Sequence, residues 1–262
     1  MNFSPTRPPL NTKVALVTDA SSPLGRIISR ALAQQGWDLA LHDENAHPPA
    51  LMLKLVKECE NLGRRVHTIS ADLSDDTQVK SLVPQIILAL GSLTCVVNNA
   101  THVATDVAAN FSASLLERHM RTNLATPILL AQSLHAATAE GAQAVVINLL
   151  DQKLFNPEPD FLSYTLSKAA LQKATDLLAL ALAPRVRVVG IAPALNLGHP
   201  ALTPSLDAAT NADDFAASIC FIASSISLTG TTLLMDGGAH LRAGSKNRDV
   251  IAPITASALS AT

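Results

Sequence analysis

Two stretches of the chain bring together side chains that could do chemistry. In Tyr164-Thr165-Leu166-Ser167-Lys168 a phenol and an ammonium stand four residues apart, which on a helix puts both on one face, one turn from each other. The ammonium can then lower the phenol's pKa and hold a bound ribose while the phenol transfers a proton. Tyr164 is the only tyrosine of the chain; a surface tyrosine beside a solvated lysine would show the same spacing. The second stretch is Thr18-Asp19-Ala20-Ser21-Ser22-Pro23-Leu24-Gly25, between an apolar run and a helical pattern. A helix N-terminus there offers unpaired N–H groups and a positive dipole end, which suit a pyrophosphate. A dinucleotide fingerprint wants glycines for the tight turn and close backbone approach, and of these only Gly25 remains, so the stretch also reads as an ordinary serine-rich cap.

The elements that must position these residues alternate regularly. Short apolar, β-branched runs predict strands over 13–18, 38–42, 65–70, 93–98, 144–150, 187–191 and 231–235. Helical spacing predicts helices over 24–36, 49–62, 75–90, 114–137, 162–183 and 212–223. This is an α/β pattern: a single doubly wound Rossmann-type domain over 13–240, a seven-stranded parallel sheet with helices on both faces, and irregular segments at 1–12 and 241–262. Such a sheet binds ligands at the carboxyl ends of its strands, where both chemical stretches fall.

Composition excludes several partners. The 262 residues carry 19 basic and 21 acidic groups, a net charge of -2, which argues against a nucleic-acid-binding or anionic-membrane surface. Cys59, Cys95 and Cys220 are too scattered for a disulfide framework, and with no clustered histidine no metal is expected. Neither a secretory leader nor a stretch of ~20 apolar residues is present, so the expected setting is the cytoplasm. Aromatics make only 3% of the chain, and the core must be aliphatic.

From Lys13 to about His240 the chain resembles the classical short-chain dehydrogenase/reductase family. The matching pieces run in the family's order: the glycine turn at 18–25, Asp72-Leu73, Asn98-Asn99-Ala100, Asn123, Tyr164-x-x-x-Lys168 and Asp236-Gly237-Gly238. Asp151 stands thirteen residues before Tyr164, where most members have serine. That aspartate, within Asn148-Leu149-Leu150-Asp151, is similar to the pteridine reductase-like branch, as is the segment from Asn156 to Tyr164.

The resemblance implies an NAD(P)-dependent oxidoreductase moving hydride to or from a small carbonyl or a pterin-like C=N. Tyr164 would be the acid/base. Lys168 would hold the nicotinamide ribose and depress the tyrosine's pKa, Asn123 would position a water, and Asp151 would meet an amino-heterocycle or cap its own loop. Thr18, Ser21, Ser22, Leu24, Gly25, Asp43, Asp72, Leu73, Asn99, Ala100, Lys168 and Pro193 would form the cofactor site. Asp43, followed by Glu44, favours NAD(H) over NADP(H), whereas pteridine reductases generally use NADPH.

Two departures predict weak dinucleotide binding. Asp19 replaces the first glycine of the turn, and Pro23, which cannot reach φ > 0 and donates no N–H, replaces the second. They support the alternative, a degenerate member serving as a non-catalytic binding or assembly subunit. The lid segment 195–214 looks short, and the apolar helices over 114–137 and 162–183 imply a homo-tetramer.

Overall fold

In the computed structural model the described residues are 13–45, 47–194 and 211–241. Seven strands, β1 Val14–Val17, β2 Asp38–Asp43, β3 Val66–Ser70, β4 Cys95–Asn98, β5 Ala144–Leu149, β6 Val186–Pro193 and β7 Thr231–Met235, alternate with helices α1 Pro23–Gln34, α2 Ala50–Asn61, α3 Asp76–Leu90, α4 Ala113–Met120, α5 Thr126–Ala137, α6 Leu162–Leu182 and α7 Ala212–Ser224. All pairings are parallel, in the order β3-β2-β1-β4-β5-β6-β7. The order reverses between β1 and β4, so a crevice opens outside their carboxyl ends.

Strand alternation feeds two cores. Ala15 and Val17 join Ile28 and Leu32 of α1, Leu55 of α2 and Phe215 of α7 on one face. Val14 and Leu16 join Leu82 of α3 and Leu130 of α5 on the other. Central strands buried on both sides are continuous apolar runs for that reason, and truncating a fully buried leucine such as Leu32 costs about 2–5 kcal/mol.

The helix ends follow local chemistry. Asp75 caps α3 by accepting from Thr77 N and Gln78 N, and Gly91 ends it with φ 89. Ser22 caps α1 with its hydroxyl on Gly25 N at 3.1 Å, and Pro23 takes the first helical position.

The 114–137 helix is not continuous. A π turn, Arg121–Ala125, separates α4 from α5. Pro127 supplies its cause in part: it brings no N–H to the carbonyl of Asn123, so no regular helical bond can form there. The expected irregular ends 1–12 and 242–262 and most of the expected lid, 195–210, lie outside the described residues.

Candidate active site and dinucleotide crevice

The first turn of α6 carries Tyr164 and, one turn on, Lys168, both buried against the end of β5. Tyr164 Oη donates to Asp151 Oδ2 at 2.7 Å. The other carboxylate oxygen accepts from Lys153 N at 2.8 Å, so Asp151 caps its own loop and holds the phenol at once. Lys153 is itself buried; its ammonium pairs with Glu158 at 2.5 Å and lies 4.6 Å from the centre of the Phe161 ring, which packs edge-on against Tyr164.

Lys168 Nζ donates to Leu149 O at 2.8 Å and to Thr101 Oγ1 at 3.0 Å. Burial pushes its pKa down to about 8, against the upward pull of Asp151. The expectation that this ammonium depresses the tyrosine's pKa is overturned. Burial, then the charge and hydrogen bond of Asp151, hold the phenol well above its ordinary range, because the carboxylate touches the hydroxyl while the ammonium is occupied elsewhere.

Asn123 sits in the π turn and braces the site. Its Oδ1 accepts from His102 N at 2.8 Å, and its two amide hydrogens go to His102 O and Ser167 Oγ, both at 2.9 Å. The side chain is thus committed to protein partners, and any water it positions is held by another of its atoms.

The turn after β1 keeps the shape a glycine turn needs despite its substitutions. Asp19 adopts φ 50, the left-handed conformation that aspartate tolerates better than most residues. Pro23 costs nothing at the first position of a helix, where an N–H has no intrahelical partner. Gly25 is required by packing, since a Cβ there would stand 2.3 Å from Asp19 O.

Asn99 lashes this turn to β4: its Nδ2 reaches Thr18 O at 2.8 Å, Asp19 O at 2.9 Å and Ser22 Oγ at 3.1 Å. Thr18 Oγ1 accepts from Asn99 N and Ala100 N, both at 2.9 Å.

A cavity of about 1170 Å³ runs along the crevice from Asp19, Ser21, Asp43 and Glu44, past Asp72, Leu73 and Ala100, to Thr101 and His102. Of the expected cofactor residues, Ser21, Asp43, Asp72, Leu73 and Ala100 line it. Thr18, Ser22, Gly25 and Asn99 are not in its lining and hold the turn together instead, Leu24 packs against the core, and Pro193 ends β6 opposite Met235. Tyr164, Lys168 and Asp151 are not in its lining; Lys168 meets the lining residue Thr101 through its hydrogen bond.

Asp43 is the clearest sign of a ligand. It is 6% exposed, and its Oδ1 accepts from Asn45 N and Nδ2 while Oδ2 is buried without a partner. Burial alone raises its pKa, but Ser21 and Asn45 together hold it below the ordinary carboxylate value. A buried carboxylate with one oxygen, Oδ2, left without a hydrogen bond suits a ribose hydroxyl.

Sequence reasoning missed the neighbours of the tyrosine. His119, fully buried, accepts from Ala104 N on Nε2 and so donates through Nδ1 to Ser163 Oγ at 2.9 Å. His102 packs 5.0 Å from it, ring centre to ring centre, and its Nε2 is buried without a partner. Seventeen residues apart in sequence, they show no ligand spacing; only the fold joins them. Thr101 could have been flagged because it directly follows Asn98-Asn99-Ala100.

A doubly wound sheet with a buried tyrosine and lysine at its carboxyl edge defines a nicotinamide-dinucleotide oxidoreductase. The chain belongs to the short chain dehydrogenase family, whose model matches residues 13–199, and it is an NAD(P)-dependent enzyme of that family. It is similar to an uncharacterized oxidoreductase of Mycobacterium tuberculosis (strain CDC 1551 / Oshkosh), 32% identical over 87% of this chain and 92% of the relative. It is also similar to the NADPH-dependent aldehyde reductase 1 of Arabidopsis thaliana, 29% identical over 77% of this chain and 70% of that protein. Among solved structures, the FolM alternative dihydrofolate reductase 1 of Brucella canis, complexed with NADP, superposes with a TM-score of 0.81 at 32% identity, covering 87% of this chain and 94% of that one.

Proposed function

We propose that this enzyme works as a reductase, passing hydride to a polarised C=N or C=O of a small heterocycle of pterin type, with Tyr164 giving the proton. The observation that carries the reading is the 2.7 Å bond between Tyr164 Oη and Asp151 Oδ2. Burial and the neighbouring carboxylate keep the phenol protonated, so it enters the reaction as the proton donor, and the negative charge that hydride transfer builds on the substrate nitrogen or oxygen is what draws the proton off. The same carboxylate can accept from an amino group of a heterocycle, which a serine does less well. The likeness to a protein described as an alternative dihydrofolate reductase supports this substrate class.

A bound dinucleotide supplies the hydride. Lys168 has two of its three N–H groups committed to Leu149 O and Thr101 Oγ1; the third is left for a ribose hydroxyl. Asn123 braces the loop at His102 and leaves a main-chain carbonyl, denied its helical donor by Pro127, to hold a water. Asp43 takes the adenosine ribose through Oδ2. With Glu44 beside it, this end favours NAD(H) over NADP(H), because a 2′-phosphate there meets carboxylates. The solved neighbours bound to NADP or NADPH pull the other way, and Arg118, which also lines the cavity, is the cation such a phosphate would need, since Arg121 is paired with Asp76.

The proposal extends to one catalytic domain over 13–240, a cytoplasmic setting suited to three free cysteines, and a homo-tetramer. No helix among the described residues is long and apolar enough to cross a membrane. The test is oxidation of NADH and NADPH by the purified chain with a dihydropterin, an aldehyde and a ketone offered in turn. Turnover of the dihydropterin, faster with NADH, is expected; turnover of the simple carbonyls alone would reject the heterocycle.

A further inference from the structure

Asp19 is held where few side chains are found. Its φ of 50 is a conformation that glycine takes freely and other residues seldom, and the residue lines the crevice with Asp43 and Glu44, close enough that both acidic groups act on its carboxyl. Around it the charges are one-sided. His42 is neutral, because Nδ1 accepts from Asp19 N at 3.2 Å and Nε2 therefore donates to Ala71 O at 3.0 Å. Arg26 is spent on Ser21 O and Arg121 on Asp76. Asp72 lies further along the cavity, and Glu117 and Arg118 stand on its α4 wall. Next to Asp19 the orphan Oδ2 of Asp43 already points to a ligand that brings hydrogens.

We propose that Asp19 selects the dinucleotide: it takes the cofactor as the neutral acid, and together with Asp43 it favours a hydroxyl over a phosphate at the adenosine 2′ position. This rests on the cofactor dependence described above. An ionised Asp19 at the entrance to α1 would face the pyrophosphate at the helix end that otherwise attracts it; a protonated one removes that repulsion and gains an O–H to donate. The free protein is poised for the change, since burial, then Asp43 and Glu44, lift this carboxyl to about 6 against the hydrogen bond of Ser22. A bound dianion lifts it further. Affinity is then constant below about pH 6 and falls with rising pH, by up to about tenfold per unit, until the carboxyl of the complex also ionises.

NADH has no group of its own that titrates between about pH 5.5 and about pH 8, so it is the probe. Its binding, followed by nicotinamide fluorescence, is compared for the wild type, Asp19→Asn and Asp19→Gly, both of which fit a positive φ. Calorimetry at about pH 7 in two buffers of different ionisation enthalpy counts the protons taken up. The wild type should bind NADH at least about fivefold more weakly at about pH 8 than at about pH 5.5 and take up a fraction of a proton. Asp19→Asn should bind tightly throughout with no uptake, and at about pH 7.5 it should improve NADPH more than NADH. A flat wild-type profile, the same slope in Asp19→Asn, or no proton uptake would overturn the inference while leaving the cofactor reading intact. Failure of all three proteins to bind either dinucleotide would remove both.

Discussion

Thr101 Oγ1 accepts a hydrogen bond from Lys168 Nζ at 3.0 Å and passes its own hydrogen toward Asn99 O at 3.2 Å. Asn99 in turn ties down Asp19 and Ser22. The lysine at the reacting end and the turn at the pyrophosphate end are thus joined through two residues, Thr101 and Asn99. Thr101→Val leaves the buried ammonium with one protein acceptor, and a hydrogen bond to a charged group is worth about 1.5–3 kcal/mol. The Lys168 pKa of about 8 should fall by roughly 1–2 units. The alkaline limb of the pH–rate profile should move toward acid while Thr101→Ser restores it. A profile unchanged in Thr101→Val would show that Thr101 does not position the lysine.

Tyr164→Phe removes only the phenolic proton and should lower kcat by about 10²–10⁴-fold with cofactor affinity nearly unchanged. Asp151→Ser tests the other half of the pair. Without the carboxylate the phenol loses two of the three influences that raise its pKa and the ammonium loses the pull that holds its own up, so the alkaline limb set by Lys168 should shift to lower pH, with the tyrosine's titration moving down behind it. Activity on an amino-heterocycle should fall more than activity on a simple carbonyl. Steady-state rates on both substrates over a pH series decide it; equal losses on the two would leave Asp151 only the role of loop cap.

The sheet was legible because its inner strands β2, β1, β4, β5 and β6 are buried on both faces and so read as largely apolar runs between caps such as Ser22, Asp75 and Gly91. The tyrosine and lysine were legible because a helix turns their spacing of four into proximity. The π turn at Asn123 was hidden, since its regular apolar spacing continues through the break and Pro127 reads equally as a helix start. The tyrosine's real electrostatics were hidden too. Spacing brought Lys168 near it, but which charge dominates depends on Thr101 and Leu149 O occupying the ammonium, a matter of tertiary distance. At the turn, Asp19 and Pro23 look disabling for its shape in a glycine pattern, whereas the one accepts a left-handed φ and the other stands where the helix itself needs no N–H.

Asp19 also leaves a mark on stability. A carboxyl raised from 3.8 to about 6 in the folded chain binds its proton more tightly folded than unfolded. The stability this contributes is present below about pH 4 and is lost as pH rises toward the folded value. The loss reaches up to about 3 kcal/mol at neutral pH. Asp19→Asn should therefore raise the melting temperature near pH 7.5 by several degrees and leave it unchanged near about pH 4. Denaturation scans at the two pH values measure the difference; an equal shift at both would assign the effect to backbone conformation instead of charge.

The last expectation concerns assembly and starts from α6. Its inner side buries Leu171, Ala174 and Ala179 against the sheet, yet Leu166, Leu177 and Leu180 are 45%, 57% and 81% exposed. Three leucines on the outer surface of one helix leave apolar area that a monomer gains nothing by displaying, and burying each against a second copy contributes about 1.5–3 kcal/mol. A two-fold contact doubles every such gain, because the same residues appear on both sides. Leu180→Glu places a charge on the most exposed of the three leucines without touching the inner core or the site. Light scattering should return an oligomer, expected as a tetramer, for the unaltered chain and a smaller species for the variant, with its melting temperature lowered in a concentration-dependent way. A wild-type mass near 27.4 kDa at micromolar concentration would refute the assembly.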